Sequence, residues 1–505
     1  MVGSFDPFCP CLYLDGDYVP SAGGERIPVL NPSTLETVGH RTRSTAQEID
    51  QSVAAARRAQ KEWAGLDAKS RARHLHQLAD RIEKTPFHDV AKLITLEMGK
   101  PYPEAEGELA NCGPIFRYFA ELARHDEGHV AGSTHPHTLE YMRQYPYGVS
   151  VHIVPFNFPI ILMVWTVAAS LAAGNAVLIK PAEATTLSTL KFMKYFSLLP
   201  KGLVACLPGD GRVGQQLIEH GGTDVVAFTG GVETGRRVAM SCAAHMKPCV
   251  IEAGGSDPLI VSKNCDLDVA VPAAVTAAFH LSGQICVSTE RFYVEDAVHD
   301  EFVRRFVAAT QKLRIGDGLG KNEIGPLVSE AARTRVMELV QQAVTEGATL
   351  ACGGKIPENC GKGWFYEPTL LTGVTPDMSI LKEESFGPVA SIIRVQDFEE
   401  ALCLANDSDF GLGACVFTAN LEEAMTAADR LEAGMVWINN PMPDNDALPF
   451  GGWKNSGLGR SLGKFGLDSF RQTKMVFMDY KPDVQDWWYP YADDWFYGAK
   501  GRQQN

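Results

Sequence analysis

The sequence predicts an α/β protein that contains two parallel-sheet units. Short β-rich runs alternate with helical runs from residue 148 to 252, and a second such series extends from 258 to about 440. This alternation is typical of a parallel sheet covered by helices. The chain has 505 residues, and a single hydrophobic core stops growing at roughly 250–300 residues, so more than one domain is expected.

The elements follow from periodicity. Apolar residues at three-to-four spacing predict three early helices, and period-two or continuous apolar runs predict the strands. The predicted helices are 46–63, 70–84 and 87–97. The predicted strands are 149–154, 176–179, 203–207, 225–229 and 249–252 in the first unit, and 259–261, 290–294, 389–394 and 435–439 in the second. An exposed strand is expected near 138–145.

Composition excludes several functional classes. The net charge of −15 argues against nucleic acid or an anionic membrane as a partner, because both require a basic surface. The 12 cysteines are scattered, so neither a disulfide framework nor a zinc ligand set is expected. The uncharged segment 160–179 could span a bilayer, but Gly174 interrupts it and predicts a buried helix, a turn and a buried strand. No signal peptide is evident, and we expect a cytoplasmic protein.

Two polar residues lie at the ends of apolar runs and form a candidate catalytic pair. Cys286 follows a helix-like run through a Gly283-Gln284 step, and Glu252 ends a strand-like run before Gly254. A thiol is nucleophilic as the thiolate, and a neighbouring carboxylate can accept a proton from it or from water. The alternative is that Cys286 is a buried structural cysteine.

Two glycine motifs compete for a nucleotide phosphate. Residues 209–214 match G-x-G-x-x-G after a predicted strand, although Pro208 directly precedes them. The second motif, 228–235, closes another strand and opens a helix, whose N-terminal amides suit a pyrophosphate.

Seven motifs, in order and spanning roughly residues 30 to 480, give the chain a specific resemblance. They are Pro155-Phe156-Asn157-Phe158-Pro159, Lys180-Pro181-Ala182-Glu183, Phe228-Thr229-Gly230 to Gly235, Glu252-Ala253-Gly254-Gly255, Gly283-Gln284-Ile285-Cys286, Glu383-Glu384-Ser385-Phe386-Gly387-Pro388, and Pro449-Phe450-Gly451-Gly452 with Lys454 and Ser456-Gly457. The sequence resembles the NAD(P)-dependent aldehyde dehydrogenase superfamily, of the hydrolytic, non-acylating type.

The resemblance implies two Rossmann-like α/β domains and a small β element for oligomerisation. Residues 1–126 and 146–253 would form the NAD-binding domain and residues 254–455 the catalytic domain. Residues 127–145 and 456–505 would form the oligomerisation element, with an aromatic C-terminal tail that includes residues 487–491 and 495–497. A homodimer or homotetramer is expected, with the tail docked on a neighbouring subunit or near the substrate tunnel.

It also implies roles for the site residues. Cys286 would attack the aldehyde, Asn157 and the Cys286 amide would form the oxyanion hole, and Glu252 would activate water. The cofactor would be NAD, with NADP possible, and the pyrophosphate would meet the second glycine motif, leaving 209–214 as a tight turn. The implied cofactor-binding residues are Pro155, Phe156, Lys180, Glu183, Thr229, Gly230, Gly231, Gly235, Glu384 and Phe386.

The substrate is the least determined feature. The positions that match the family's aldehyde tunnel are apolar: Phe158, Leu162, Trp165 and Phe450. They predict an uncharged aliphatic or aromatic aldehyde, with Asp444 and Asp446 near the tunnel mouth disfavouring an anionic tail. An aminoaldehyde or a semialdehyde is the alternative substrate.

Other functions remain open at this level. CoA-acylating and phosphorylating dehydrogenases are disfavoured, since Glu252 is present and no histidine neighbours Cys286. A non-catalytic binding or structural protein on the same fold is the alternative from another class. His152 and His280 are predicted to be hydrogen-bonded core histidines.

Overall fold

The computed structural model describes residues 5–125, 128–485 and 487–491. The described residues group into a larger unit within 1–125 and 146–471, and a smaller unit within 126–145 and 472–505. Every site residue predicted from the sequence lies in the larger unit. None of the described helices is long and apolar enough to cross a bilayer.

The strands are numbered in chain order: β1 (Cys11–Leu14), β2 (Asp17–Pro20), β3 (Ile27–Leu30), β4 (Thr37–Arg41), β5 (His129–Val130), β6 (Thr138–Pro146), β7 (Val149–Ile153), β8 (Ala176–Lys180), β9 (Val204–Cys206), β10 (Val225–Gly230), β11 (Cys249–Ala253), β12 (Asp257–Val261), β13 (Thr289–Glu295), β14 (Thr349–Cys352), β15 (Thr369–Thr372), β16 (Val389–Val395), β17 (Phe410–Gly411), β18 (Gly413–Phe417), β19 (Met435–Ile438), β20 (Trp453–Lys454), β21 (Gly457–Leu458) and β22 (Arg471–Asp479).

The α-helices are α1 (Ala46–Gly65), α2 (Ala68–Lys84), α3 (His88–Met98), α4 (Tyr102–Ala110), α5 (Cys112–His125), α6 (Ile161–Ala173), α7 (Thr186–Phe192), α8 (Gly211–Glu219), α9 (Val232–Ala244), α10 (Leu267–Phe279), α11 (Asp296–Thr310), α12 (Glu330–Glu346), α13 (Phe398–Asn406), α14 (Leu421–Arg430) and α15 (Gly463–Asp468). Short 3₁₀ turns cover Met193–Leu198, His280–Gly283 and Ser379–Leu381.

The first sheet has eight strands in the order β2-β1-β9-β8-β7-β10-β11-β21. Its five central strands, β9, β8, β7, β10 and β11, are parallel. Strands β1 and β2 at one edge and β21 at the other are antiparallel to their neighbours. Carboxyl ends of parallel strands share one edge, which is where open α/β sheets bind ligands. Lys180, Gly230 and Glu252 all lie at this edge.

The second sheet has seven strands in the order β14-β15-β16-β13-β12-β18-β19. Six of them are parallel and only β14 is antiparallel. The predicted α/β class with two Rossmann-like sheets is therefore confirmed. Strands β15 and β18 were not predicted. Strand β18 begins with Gly413-Ala414, which have low β-propensity.

Local signals explain several element boundaries. Helix α1 begins at a capping box formed by Thr45 and Glu48. Helix α6 ends at Gly174, which has a φ of 106°, and strand β8 follows, which confirms the predicted buried helix, turn and strand. The apolar periodicity does not predict α4 and α5, because Pro103 and Pro114 interrupt it in their first turns.

The smaller unit contains a three-stranded sheet in the order β22-β6-β5. Trp487, Trp488 and Tyr489 are exposed, and the remaining residues of the predicted aromatic tail, 492–505, lie outside the described residues. The sequence assigned residues 456–471 to this element, but the structure places them in the larger unit. The physical reason is pairing: β21 bonds to β11, so this stretch completes the first sheet.

Candidate active site

The nucleophile candidate, Cys286, lies in a constrained loop after α10. Leu281, Ser282 and Gly283 adopt left-handed φ values of 51°, 57° and 73°. Gly283 also approaches the carbonyl of Gly387 so closely that an added Cβ would lie 2.1 Å from its oxygen. Left-handed backbone at non-glycine residues is strained and persists only where surrounding contacts fix it.

Gln284 and Ser282 supply those contacts. The Gln284 side chain accepts a hydrogen bond from the Val328 amide at 2.9 Å and donates to the Leu281 carbonyl at 3.1 Å. The Ser282 hydroxyl donates to the Gly325 carbonyl at 2.9 Å. The Gly-Gln step recognised in the sequence therefore fixes the path of the chain into Cys286.

Glu252 lies at the carboxyl end of β11, directly opposite Thr229 on β10. Both carboxylate oxygens are buried. The Cys286 thiol and the Thr229 side chain lie within interaction range, but no described residue donates a well-aligned hydrogen bond to either oxygen. Burial raises the pKa of Glu252 to about 7. A carboxyl group with such a pKa changes its charge near neutral pH and suits a general base.

The Cys286 thiol is electrostatically coupled to that carboxyl group. Burial raises the pKa of Cys286 well above its ordinary value, and the charge of Glu252 raises it further. The resting nucleophile is therefore a neutral thiol that needs a proton acceptor. Residues 252–255 approach the thiol loop closely, since a Cβ on Gly255 would lie 2.4 Å from the Cys286 carbonyl oxygen.

Asn157 follows β7 at the same sheet edge and is 3% exposed. Its Nδ2 donates to the carbonyl of Gln284 at 2.9 Å, which joins it to the loop that carries Cys286. A primary amide has two hydrogens on Nδ2, and this bond engages one of them. The orientation of the amide is thus fixed while one donor hydrogen remains for a reacting group.

A cavity of about 640 Å³ lies beside the sheet edge and has the features of a dinucleotide site. Helix α9 begins at Gly231 without a side-chain cap, and Gly230, Gly231 and Thr234 line the cavity. Free amides at a helix N-terminus favour a phosphate group. Six of the predicted cofactor residues line it: Phe156, Lys180, Glu183, Thr229, Gly230 and Gly231.

The competing glycine motif forms another wall of this cavity. Asp210 caps α8, and Gly211 and Gly214 line the cavity together with residues of the second motif. The prediction that 209–214 only makes a turn is therefore incomplete. A side chain at Gly209 would collide with Val213, so that glycine does serve the turn.

Glu183 carries a partner that the sequence did not reveal. Nη2 of Arg41, the last residue of β4, lies 2.5 Å from the Glu183 carboxylate. Nη1 of the same guanidinium is buried without a hydrogen-bond partner among the described residues. Lys180 lies in the same cavity, and burial lowers its pKa.

The Glu384–Phe386 segment brings two further predicted residues to the site. The Glu384 carboxylate accepts a hydrogen bond from the Gly255 amide at 3.1 Å, and burial raises its pKa. The Phe386 ring packs edge-on against Phe156, with 5.8 Å between the ring centroids. Glu290 anchors this segment by accepting hydrogen bonds from the Ser385 and Phe386 amides.

A second cavity, of about 760 Å³, has an acidic lining. Four acidic residues line it, Glu104, Glu108, Asp444 and Asp446, and its described lining contains no Lys or Arg. The Glu108 side chain is fully buried and paired with Lys100, which leaves three carboxylates without a described lysine or arginine partner. Phe158 and Trp165 provide its aromatic wall. We call this cavity the acidic mouth.

The comparisons with known proteins agree with this geometry. Residues 18–476 match the family model described as the aldehyde dehydrogenase family. The chain is 35% identical over 484 residues to a betaine aldehyde dehydrogenase of Bacillus subtilis, covering 94% of this chain and 99% of that protein. The chain belongs to the aldehyde dehydrogenase family.

Two other relatives have comparable coverage. A chloroplastic aminoaldehyde dehydrogenase of Arabidopsis thaliana is 37% identical over 492 residues, which is 94% of this chain and 97% of the relative. A crystal structure of betaine aldehyde dehydrogenase from Staphylococcus aureus in complex with NAD+ superposes with a TM-score of 0.91 at 32% identity. That comparison covers 95% of this chain and 97% of the other. The family resemblance found in the sequence is confirmed.

Within this aldehyde dehydrogenase, the remaining predicted residues occupy different positions. Gly235 packs α9 against β11, since its Cβ would lie 3.0 Å from Ile251, and it does not line the cofactor cavity. Leu162 and Phe450 are buried and do not line the acidic mouth. The Phe450 ring packs on Trp165, which does line it, with 4.9 Å between the ring centroids. Pro155 lies between β7 and Phe156 and does not line either cavity.

His152 and His280, both predicted to be core histidines, differ in their burial. His152 is fully buried, hydrogen-bonds to Ser150 and Thr166, and has a pKa lowered to about 3 by burial, as a core histidine should. The prediction for His280 is wrong: its side chain is 36% exposed, lines the acidic mouth and lies 3.1 Å from Glu104. Its local apolar sequence did not reveal that α10 ends at Phe279, directly before this residue.

Proposed function

We propose that the chain oxidises a cationic aminoaldehyde, or a quaternary ammonium aldehyde, to the carboxylic acid with NAD. The supporting observation is the acidic mouth, where the carboxylates of Glu104, Asp444 and Asp446 have no Lys or Arg beside them in the described lining. Cys286, Glu252 and Asn157 supply the chemistry. The sequence alone favoured an uncharged aldehyde, and the names of the relatives favour the cationic alternative.

The cofactor cavity fits a dinucleotide. The uncapped start of α9 would receive the pyrophosphate, and Lys180 with Glu183 would hold the adenosine ribose. Glu384 and Phe386 would hold the nicotinamide end. NAD, when bound, accepts the hydride that leaves the substrate carbon.

Acylation begins with the neutral thiol. The Cys286 proton passes to the Glu252 carboxylate as sulfur bonds to the aldehyde carbon, which turns the carbonyl oxygen into an oxyanion. The Asn157 amide and the backbone N–H of Cys286 donate hydrogen bonds to that oxygen. Such preorganised donors are usually worth a few kcal/mol in the transition state. Hydride departure then re-forms the carbonyl and leaves a thioester on Cys286.

Deacylation uses Glu252 a second time. Once the proton taken from Cys286 has passed to solvent, the carboxylate removes a proton from water, and the water oxygen bonds to the thioester carbon. The same oxyanion donors act again, and the C–S bond then breaks to release the acid. The proton on Glu252 passes to the departing Cys286 sulfur, which restores the neutral thiol. With its pKa near 7, Glu252 can take up and release a proton in each half-reaction.

The acidic mouth favours a cation through long-range attraction and a ring contact. Carboxylates that line a cleft raise the local concentration of cationic ligands and repel anionic ones. The Trp165 ring adds a surface for a cation–π contact with an ammonium group. An anionic semialdehyde would meet the carboxylates of Asp444 and Asp446, and that of Glu104 beside His280, with no Lys or Arg in the described lining to offset them.

The test is a comparison of kcat/KM with NAD for betaine aldehyde, 3-aminopropanal, hexanal, benzaldehyde and succinic semialdehyde. We expect at least one cationic substrate to exceed hexanal by about tenfold or more, a transition-state preference of about 1.4 kcal/mol. If hexanal or benzaldehyde exceeds both cations, the uncharged-aldehyde alternative replaces the proposal. If no aldehyde reduces the cofactor, the non-catalytic alternative gains support.

Assembly and location remain predictions. The smaller unit supplies the strands expected to cover an edge in a homodimer or homotetramer, since an unpaired strand edge invites association. Cytoplasmic location is likewise expected from the sequence.

A further inference from the structure

A fully buried ion pair lies outside the catalytic trio. The Lys100 ammonium is 2.5 Å from the Glu108 carboxylate, and both side chains have zero exposure. Removing two charges from water is costly unless further hydrogen bonds satisfy them. The partners that satisfy this pair are therefore informative.

Those partners are backbone groups of the segment that carries Asn157. Lys100 Nζ donates to the carbonyl oxygen of Asn157 at 2.8 Å. Glu108 Oε1 accepts hydrogen bonds from the amides of Ile160 and Ile161, at 2.7 and 3.0 Å. The ion pair thus joins the middle of the turn between β7 and α6 to the start of α6.

The segment that supplies the pair is itself held in place. Lys100 lies between Gly99, whose φ of 90° ends α3, and the start of α4. The Tyr102 amide donates to the Gly318 carbonyl at 2.9 Å. Lys100 also lies over the Phe158 ring, 4.3 Å from its centroid, so it contacts two successive residues of the turn.

We propose that Lys100 and Glu108 are positioning residues that hold the Asn157 amide in register with the oxyanion on Cys286. Lys100 fixes the main chain of Asn157, and the Gln284 carbonyl fixes its side chain. Two anchors on one residue leave its amide little freedom to rotate or shift. A displacement of about 1 Å at such a donor can reduce a rate by about 100-fold.

The proposal rests on the role of Asn157 described above. The decisive variant is Lys100→Met combined with Glu108→Gln. Methionine keeps the length of the lysine stem without a donor, and glutamine keeps an oxygen for the Ile160 and Ile161 amides. No unpaired buried charge remains. The change removes the hydrogen bond to Asn157, together with the ion pair and the ammonium contact with the Phe158 ring, and keeps the acceptor for the Ile160 and Ile161 amides.

Two rates are measured on the NAD-bound enzyme. The pre-steady-state burst of reduced cofactor depends on the oxyanion, with betaine aldehyde or hexanal as substrate, whichever is turned over. Alkylation of Cys286 by iodoacetamide forms no oxyanion and reports only the thiol and its access. We expect the burst to slow by about tenfold or more and alkylation to stay within about twofold.

The same two substitutions, Lys100→Met and Glu108→Gln, are then introduced into the Asn157→Ala variant. If the pair acts through Asn157, the burst should slow no further in that background, because the effects of coupled residues are not additive. An unchanged burst in the otherwise native enzyme, equal slowing in both backgrounds, or a parallel loss of alkylation would each overturn the inference. An Asn157→Ala enzyme with a normal burst would instead overturn the proposed role of Asn157.

A second variant covers a failure to fold. If the double variant does not bind NAD, Lys100→Arg keeps the charge pair while its wider head group displaces the Asn157 carbonyl. The same two readouts and the same outcomes then decide the question.

Discussion

The sheet edge and the acidic mouth place their functional groups by different means. At the edge, register fixes the groups: Thr229 lies opposite Glu252, and Ile153 lies opposite Lys180, each pair on adjacent parallel strands. At the mouth, Glu104 comes from α4, His280 from the end of α10, and Asp444 and Asp446 from a loop.

This difference in positioning suits the sheet edge to the chemical steps and the acidic mouth to the choice of substrate. Strand register holds atoms precisely enough for proton transfer and for oxyanion contacts, which lose rate steeply with displacement. Charges at a mouth act over longer distances and tolerate movement. Changes at the edge should therefore affect the rate for every aldehyde, whereas changes at the mouth should alter the ranking of aldehydes.

The largest effect is expected for Glu252→Gln. Glutamine cannot accept the water proton, so steady-state turnover should fall by about 10²- to 10⁴-fold, the usual contribution of a general base. A burst of reduced cofactor should remain, because the substitution also removes the charge of Glu252 that raises the pKa of Cys286, and a thiolate fraction can then form in basic solution. Stopped-flow measurements at about pH 9 with any turned-over aldehyde provide the check.

Cys286→Ala is the matched control for that experiment. It removes the atom that carries the acyl group, so neither burst nor turnover should be detectable. A burst in Cys286→Ala, or full turnover in Glu252→Gln, would contradict the assignment of these residues.

The next largest effect is expected in the pH dependence of kcat. In the proposed mechanism the ionised form of Glu252 is the active base, and burial raises its pKa to about 7. Where deacylation limits turnover, kcat should therefore rise about tenfold from pH 6 to pH 8 and level off above that range. The profile of the native enzyme is compared with that of Glu252→Gln, which should lack this rise. A kcat that is flat between these pH values, with deacylation limiting, would show that Glu252 is not the titrating base.

The sheet edge could be predicted from sequence because its residues follow strands within short motifs. The runs that end at Thr229 and Glu252 specify two buried strands, and parallel packing then places their ends together. The Gly-Gln step before Cys286 likewise carries its own turn geometry. Local patterns and the family resemblance were sufficient for these positions.

The remaining contacts join residues that are distant in the chain. Arg41 reaches Glu183 from another sheet, and Lys100 reaches Asn157 from the turn between two helices. The hydrophobic periodicity of a sequence does not reveal such contacts between distant residues. Glu290 is an exception with a usable signal, because a charged residue in the wholly buried strand β13 requires a dedicated partner.

Glu183→Gln tests cofactor selection at the sheet edge. Arg41 is now paired with Glu183, and its second nitrogen is buried without a described partner. Removing the carboxylate leaves Arg41 and Lys180 to attract a ribose 2′-phosphate, so the NADP/NAD ratio of kcat/KM should rise by about tenfold. Titration of the dissociation constants of both cofactors should show the same shift. An unchanged ratio would mean that Glu183 does not face the ribose.

The smallest effect is expected at the acidic mouth. Asp444 is exposed and Asp446 is partly exposed, and solvent screens such charges, so the double change Asp444→Asn with Asp446→Asn should lower kcat/KM for a cationic aldehyde by only about fivefold. The loss should appear mainly in KM and should shrink as salt is added, because it arises from attraction during encounter. Hexanal is the matched neutral control, and its kcat/KM should stay within about twofold because it carries no charge for these carboxylates to act on. Succinic semialdehyde should improve, since two repulsive charges are removed. Equal losses for hexanal and the cation would show that the loop shapes the cavity rather than selecting charge, and the contrast between edge and mouth would then fail.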